Sequence, residues 1–337
     1  MQVHRDIQGL PGFRKGVITI GTFDGVHLGH QQIISQLKEE ALHIGGETVI
    51  ITFHPHPRKV IASSSAVQLL NTIEEKIWLL EKAGIDHLVI VPFTEAFSQL
   101  SADEYIQHFL IDRFDPHTVI IGYDHRFGQG RKGDYKLLEQ YSESLGFKLK
   151  EISPHIINHS TVSSTLIRQA LLRGDITAAD ELLGYDFFIT GTVVEGNKLG
   201  RTLGYPTANI EIEYAEKLVP ANGIYAVEVV IGVNRESSIV SDQTSTFTID
   251  DSRLTTDDSR LTKYGGMMSI GVRPTIETTT RRTIEVNIFD FDKVIYGHAI
   301  RVYFKKYLRE EKKFNGLEAL KEQIGRDKVD ALKNLEI

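Results

Sequence analysis

Residues 17–30 read VITIGTFDGVHLGH. Val17 to Ile20 are β-branched throughout, which predicts a buried strand. Gly21, Gly25 and Gly29 punctuate the turn that follows, and apolar residues then recur at helical spacing from His30 to Ile44. A strand that turns directly into a helix aims backbone N–H groups and the positive end of the helix dipole at whatever lies above the turn, and glycines allow an anion to come close. His27 and His30 are three residues apart, so both imidazoles can donate to one phosphate group. Two other readings stand beside this one. The histidines could cap or pack the helix start, or they could join His54 and His56 of TFHPHP in a metal cluster, although no HExxH pattern occurs.

Outward from this stretch, the first half alternates in type. Strands are predicted at 17–20, 48–53, 87–91, 118–121 and 147–152, with helices at 30–44, 72–83, 102–114 and 134–145 between them. Ser101 with Glu104 forms a capping box that supports the third helix. Such alternation implies βαβ crossovers and a parallel, doubly wound, Rossmann-like sheet, whose ligands bind in the loops after the strands. Two short helices follow over 163–183, divided by Arg173-Gly174-Asp175. Beyond Gly184 the texture changes to β-rich runs at 187–195, 223–231, 267–271, 283–289 and 298–304, which read as a small antiparallel barrel or sandwich, closed by a helix over 316–335. The expected domains are therefore 1–184 and 185–337. Residues 235–263 are polar and repeat DDSRLT at 250–255 and 257–262, and they read as a surface insertion in the second domain.

The 337 residues are 41% hydrophobic and 25% charged, ordinary for a globular protein and long enough for two cores. With 38 Lys and Arg against 45 Asp and Glu, the net charge of −7 argues against a nucleic-acid binder working through a basic surface. There is no cysteine, which excludes disulfides, thiol catalysis and thiolate metal sites and makes the cytoplasm the expected location. The N-terminus MQVHRDIQGLPGF lacks an apolar core, and no run approaches the roughly 18 apolar residues of a membrane span. Neither export nor membrane association is expected.

HxGH after the first strand resembles the nucleotidyltransferase superfamily, which transfers a nucleotidyl group from a nucleoside triphosphate. Val162-Ser163-Ser164-Thr165-Leu166-Ile167-Arg168 is similar to its second motif, three hydroxyls at a helix start with an arginine one turn on. The loop GYDHRFGQGRKGD at 122–134, together with TFHPHP at 52–57, resembles the FMN adenylyltransferase module of bacterial bifunctional riboflavin kinase/FAD synthetases. Thr22 and His125 stand where that module usually has Asn and Phe. The resemblance implies that His27, His30 and Arg168 act in catalysis, that Gly21, Phe23, Asp24, Gly29, Ser163, Ser164 and Thr165 bind ATP, and that Phe53 and Asp124 contact the flavin.

In the second half, GNKLGRTLGYPTAN at 196–209 is a glycine-rich, basic segment able to wrap phosphate. PTAN is similar to the signature of the riboflavin kinase family, a small β-barrel. The resemblance implies ATP binding by Gly196, Gly200, Arg201, Gly204, Thr207 and Asn209, with Thr207 and Asn209 holding magnesium. TIEVNIFDF at 283–291 resembles the family's segment that carries the catalytic acid, here Glu285. Its alternation puts Ile284, Val286 and Ile288 on one face and Glu285 with Asn287 on the other. GIYAV, SIGVRPT and LREEKKF complete the likeness, the last implying that Arg309 contacts the flavin. The expected activity is two successive steps, riboflavin to FMN and FMN to FAD, each with ATP and magnesium. The alternatives are a kinase with a degenerate first domain and a non-enzymatic flavin binder.

Overall fold

The computed structural model describes residues 1–61, 68–122, 125–152, 162–196, 199–234, 262–273 and 281–335. Asp124 lies outside them, as does the expected insertion apart from Thr262 and Lys263. The chain divides into two compact units, Met1–Ser164 and Thr165–Ile337.

The first unit is built on a parallel sheet of β1 (Gln2–His4), β2 (Val17–Ile20), β3 (Thr48–His54), β4 (His87–Pro92), β5 (Thr118–Gly122) and β6 (Lys148–Ile152), in the order β1-β4-β3-β2-β5-β6. Its helices are α1 (Leu28–Ile44), α2 (Pro57–Ile61), α3 (Ile73–Lys82), α4 (Glu95–Ser98), α5 (Ala102–Glu104), α6 (Asp112–Phe114) and α7 (Tyr135–Leu145). Side-chain alternation along the strands divides the core in two. Ile18, Ile20, Val49, Ile51, Val119 and Ile121 pack against Tyr105, Phe109, Leu110 and Leu138, whereas Val17, Ile50, Leu88, Ile90 and Ile120 pack against Ile34, Leu37, Ile73 and Leu80. Helices thus cover both faces, and the order reverses at β2, which lies between β3 and β5. The carboxyl end of β2 is therefore the switch point where such sheets bind ligands.

Two details depart from the sequence reading. β1, only three residues long, is too short to leave a periodic signal, and it pairs with β4 in parallel. The helix expected over 102–114 widens to a π-helical stretch at Tyr105–Ile111, which buries Tyr105, Ile106, Phe109 and Leu110 on the sheet side.

The second unit takes in nearly all of α8 (Ser164–Leu172), then α9 (Ile176–Leu183) and a closed antiparallel barrel. The barrel strands are β7 (Phe188–Val194), β8 (Ala208–Glu211), β9 (Gly223–Asn234), β10 (Lys263–Arg273), β11 (Arg281–Ile288) and β12 (His298–Arg309), ordered β10-β11-β8-β7-β12-β9, with β9 closing on β10. A short helix, α10 (Leu199–Thr202), lies between β7 and β8. α11 (Leu317–Lys333) packs on the barrel, where Ala331 joins Ala226, Met267 and Phe289. β8 was not anticipated, because the Gly- and Pro-rich approach and the polar ANIE sequence hide a strand that only its two neighbours reveal.

Candidate functional sites in the two units

In the first unit the turn after β2 is held in a backbone conformation that few sequences adopt. Phe23, Gly25 and Val26 have φ of 46°, 90° and 37°, all in the left-handed region. Several contacts hold it. Phe23 and Val26 are buried in the core, Gln31 Nε2 donates to the Val26 carbonyl at 3.0 Å, and the Asp24 carboxylate accepts from Leu70 N at 2.9 Å. Ser164 Oγ donates to the Asp24 carbonyl at 2.9 Å, so the first motif and the start of the second are joined directly.

His27 is the N-cap of α1, and its ring stacks on that of His30 with centroids 3.8 Å apart and planes inclined by 17°. His30 also lies 4.8 Å from the Phe23 ring, and its Nδ1 is buried without a hydrogen-bond partner among the described residues. Burial, followed by the neighbouring His27 and Lys76, holds the His30 imidazole well below its ordinary value of 6.5. Near neutrality His30 is therefore an uncharged, one-proton donor. Among the described residues no group of three or more His, Asp and Glu is gathered as a metal cluster, so His54 and His56 do not complete one with the HxGH pair.

The other candidates of this unit occupy distinct places. Gly21 continues the ladder by donating to Ile51 O at 3.0 Å, and Gly29 is buried in the first turn of α1. Phe53, half-buried at the end of β3, meets the rings of Phe93 and Phe97 at 5.5 and 5.6 Å. In the loop after β5, Arg126 Nη1 pairs with Asp134 at 2.8 Å, while Asp134 also caps α7 through Leu137 N. A Cβ on Gly133 would overlap the Phe127 ring. Ser163 and Ser164 are half-buried; Thr165, exposed, and Arg168, half-buried, follow on α8 and belong with the second unit.

In the second unit β8 pairs with β11 so that Asn209 faces Glu285 and Ala208 faces Val286. Thr207 Oγ donates to Glu285 Oε2 at 3.1 Å. Residues far apart in the sequence thus gather a hydroxyl, an amide and a carboxylate on one strand pair, an all-oxygen set that suits a hard divalent cation bound to phosphate. Asn287, buried on the same face of β11 as Glu285, donates from Nδ2 to the Pro206 carbonyl at 2.6 Å and so fixes the segment that carries Thr207. Gly196 packs so closely on the Asn209 amide that a Cβ there would overlap it, and a Cβ on Gly200 would overlap the Tyr205 carbonyl. Gly204 has φ of 85° and Arg201 is exposed.

Arg309 is placed otherwise than a free ligand contact. Its Nε and Nη2 donate to the two carboxylate oxygens of Asp327 on α11 at 2.8 and 2.6 Å, and its Nη1 donates to the Glu310 carbonyl at 2.8 Å. Lys76 lies outside every motif, whereas Thr52 and Asn287 lie inside TFHPHP and TIEVNIFDF, although the resemblance implies a role for neither. Only the alternation along 283–289 offered a signal, and that for Asn287 alone.

Two family models match the chain, FAD synthetase over residues 12–166 and riboflavin kinase over residues 183–335. A protein of Buchnera aphidicola subsp. Schizaphis graminum named bifunctional riboflavin kinase/FMN adenylyltransferase is 35% identical over 328 residues, covering 95% of this chain and 96% of its own. Its namesake in Bacillus subtilis is 35% identical over 323 residues, covering 95% and 92%. A crystal structure named as a macrolide-efflux protein from Streptococcus pneumoniae is 27% identical, covers 98% of both chains and superposes with a TM-score of 0.80. Among the described residues of the present chain no helix is long and apolar enough to cross a membrane.

Proposed function

The chain belongs to the bifunctional riboflavin kinase/FMN adenylyltransferase family, and from that membership we propose how its residues divide the work. The enzyme phosphorylates riboflavin to FMN and adenylylates FMN to FAD, using ATP in both steps. The kinase domain is assigned to 185–337 and the adenylyltransferase domain to 1–184. The observation that carries the kinase half is the hydrogen bond from Thr207 to Glu285 across β8 and β11.

In the kinase step the terminal ribityl hydroxyl attacks the γ-phosphorus of ATP. A new P–O bond forms, the bond to the β-phosphate oxygen breaks, and ADP leaves. Glu285, half-buried on the face of β11 opposite Ile284, Val286 and Ile288, accepts the hydroxyl proton. Thr207 donates a hydrogen bond to Glu285 and keeps its proton, and its oxygen lone pairs remain available to a cation. Thr207 and Asn209 would hold a magnesium ion, which would offset negative charge on the phosphates. Gly196, Gly200, Arg201 and Gly204 wrap the nucleotide, since a backbone without side chains can approach phosphate closely.

In the adenylyl step an FMN phosphate oxygen attacks the α-phosphorus of ATP, and pyrophosphate leaves as the bond to the β-phosphate breaks. No covalent intermediate is needed, so the residues orient the phosphates and stabilise charge. His27 and His30 donate to the transferring phosphate, with the N-terminus of α1 behind them. Arg168 and the hydroxyls of Ser163, Ser164 and Thr165 bind the outer phosphates. Gly21, Phe23, Asp24 and Gly29 shape the turn on which ATP rests, and Phe53 with Asp124 contacts the flavin. Arg309 serves the flavin side of the kinase site by fixing the 310–316 loop. A cysteine-free chain that consumes ATP suits the reducing cytoplasm.

The direct test is chromatography of the flavins formed from riboflavin, ATP and magnesium. Sequential appearance of FMN and FAD is expected. FMN that accumulates without FAD removes the adenylyl assignment, and unchanged riboflavin removes both.

A further inference from the structure

Lys76 belongs to none of the motifs, yet its side chain ends beneath the turn that carries them. Thr72 and Glu75 form a reciprocal capping box at the start of α3, with Glu75 N on Thr72 Oγ1 at 3.1 Å and Thr72 N on Glu75 Oε2 at 3.0 Å. This fixes the first helical turn so that Lys76, on the next residue, points inward and is buried. Its ammonium donates to the Thr22 carbonyl at 2.6 Å and lies 3.4 Å from Thr52 Oγ1, which itself donates to the same carbonyl at 3.2 Å.

An ammonium is costly to bury, and an apolar side chain of similar length would fill the space without that cost. The charge therefore needs a reason. The groups around it are Asp24 in the turn, His30 stacked on His27 in α1, and the neutral oxygens of Thr22 and Thr52; on its own helix the Glu75 carboxylate is engaged in the capping box. The Asp24 carboxylate, which also accepts from Leu70 N and Asn71 N, is the opposite charge that acts on the ammonium. The ammonium thus lies under a left-handed turn whose upper face is suited to an anion.

We propose that Lys76 is a positioning residue for adenylyl transfer, clamping the Thr22 carbonyl so that the turn keeps its shape and presents positive charge to the polyphosphate of ATP. The inference rests on the reading of the first unit as the FMN adenylyltransferase. It accounts for a division of labour in which His30 stays neutral and the cation lies one layer deeper. Burial, opposed by Asp24, brings the Lys76 ammonium down to about 8, so it is charged at neutral pH and loses its proton as the pH rises through that value.

The test uses the full chain and its Lys76→Met and Lys76→Arg variants, with FAD formation from FMN followed across a pH series from about 6.5 to 9.5. In the parent the rate should fall as pH rises through about 8. Lys76→Met should lose roughly tenfold or more of the rate at neutral pH and show no such fall, because the removed donor acts on transition-state charge. Lys76→Arg should keep most of the neutral rate and carry the fall to higher pH. Riboflavin phosphorylation in the same samples reports on the second unit, and melting curves report on the first. A Met variant within about twofold of the parent, or one slowed equally at every pH with the fall intact, overturns the proposal. Where Lys76→Met does not fold, an Arg variant whose pH profile matches the parent's overturns it instead. A parent that makes FMN but no FAD removes the adenylyltransferase reading itself, and the inference falls with it.

Discussion

Glu285 and His30 illustrate how identity and surroundings combine at single residues. Glu285 stands on the face of β11 opposite Ile284, Val286 and Ile288, and it meets Thr207 because β8 is registered against it. Glu285→Gln keeps the shape and removes the proton acceptor, so FMN formation should fall by roughly 100- to 10,000-fold while FAD formation from supplied FMN survives. Chromatography of both reactions checks this, and joint loss would count against separate sites. His30→Ala should do the reverse, stopping FAD formation and sparing the kinase. Phe23 and Asp24 have structural duties as well. The Phe23 ring fills the core and the Asp24 carboxylate secures Leu70, so substitutions there act on the shape of the turn in addition to any contact with ATP.

At the scale of elements, α11 shows what a pattern can hide. Its apolar positions predict a helix, and the structure adds a nearly buried ion pair, Arg309 with Asp327, whose side chains are 16% and 6% exposed. Removing one partner strands the other. Asp327→Ala should therefore destabilise the second unit by about 3 kcal/mol, the lower end for a broken buried pair, and loosen the 310–316 loop. Chemical denaturation followed with the kinase assay measures both effects, and an unchanged midpoint would show that the pair contributes nothing. β8 makes the complementary case. Four residues of modest strand propensity become a strand because β7 and β11 supply partners on both edges, and its place sets Asn209 opposite Glu285.

For the whole molecule, the question is where the second unit begins. The change of texture near residue 185 suggests one boundary, whereas α8 and α9 share their contacts with the barrel. Ala221 N donates to Leu171 O at 3.0 Å, and Phe187 N donates to Asp180 Oδ1 at 2.7 Å. A fragment starting at Thr165 should therefore phosphorylate riboflavin and melt cooperatively, while one starting at Tyr185 loses these acceptors and the helix packing and should melt lower. Equal melting temperatures would place the boundary at 185. Much of this architecture is legible in the sequence. The strands of the doubly wound sheet, the helices between them and the barrel's longer strands follow from periodicity, glycine placement and residue chemistry, all of which are local properties, and the two motif sets stand out by their resemblance to a family. The parts that are not legible depend on partners distant along the chain. β1 and β8 exist because other strands pair with them. Lys76 reaches the HxGH turn because α3 aims it at Thr22, across a separation of 54 residues. The sequence by itself determined the family and its two activities, and most of the strands and helices of both units. The tertiary structure alone decided that Glu285 meets Thr207, that Arg309 is bound to Asp327 and that a buried ammonium underlies the HxGH turn, because hydrogen bonds and burial are set by distances that no local pattern encodes.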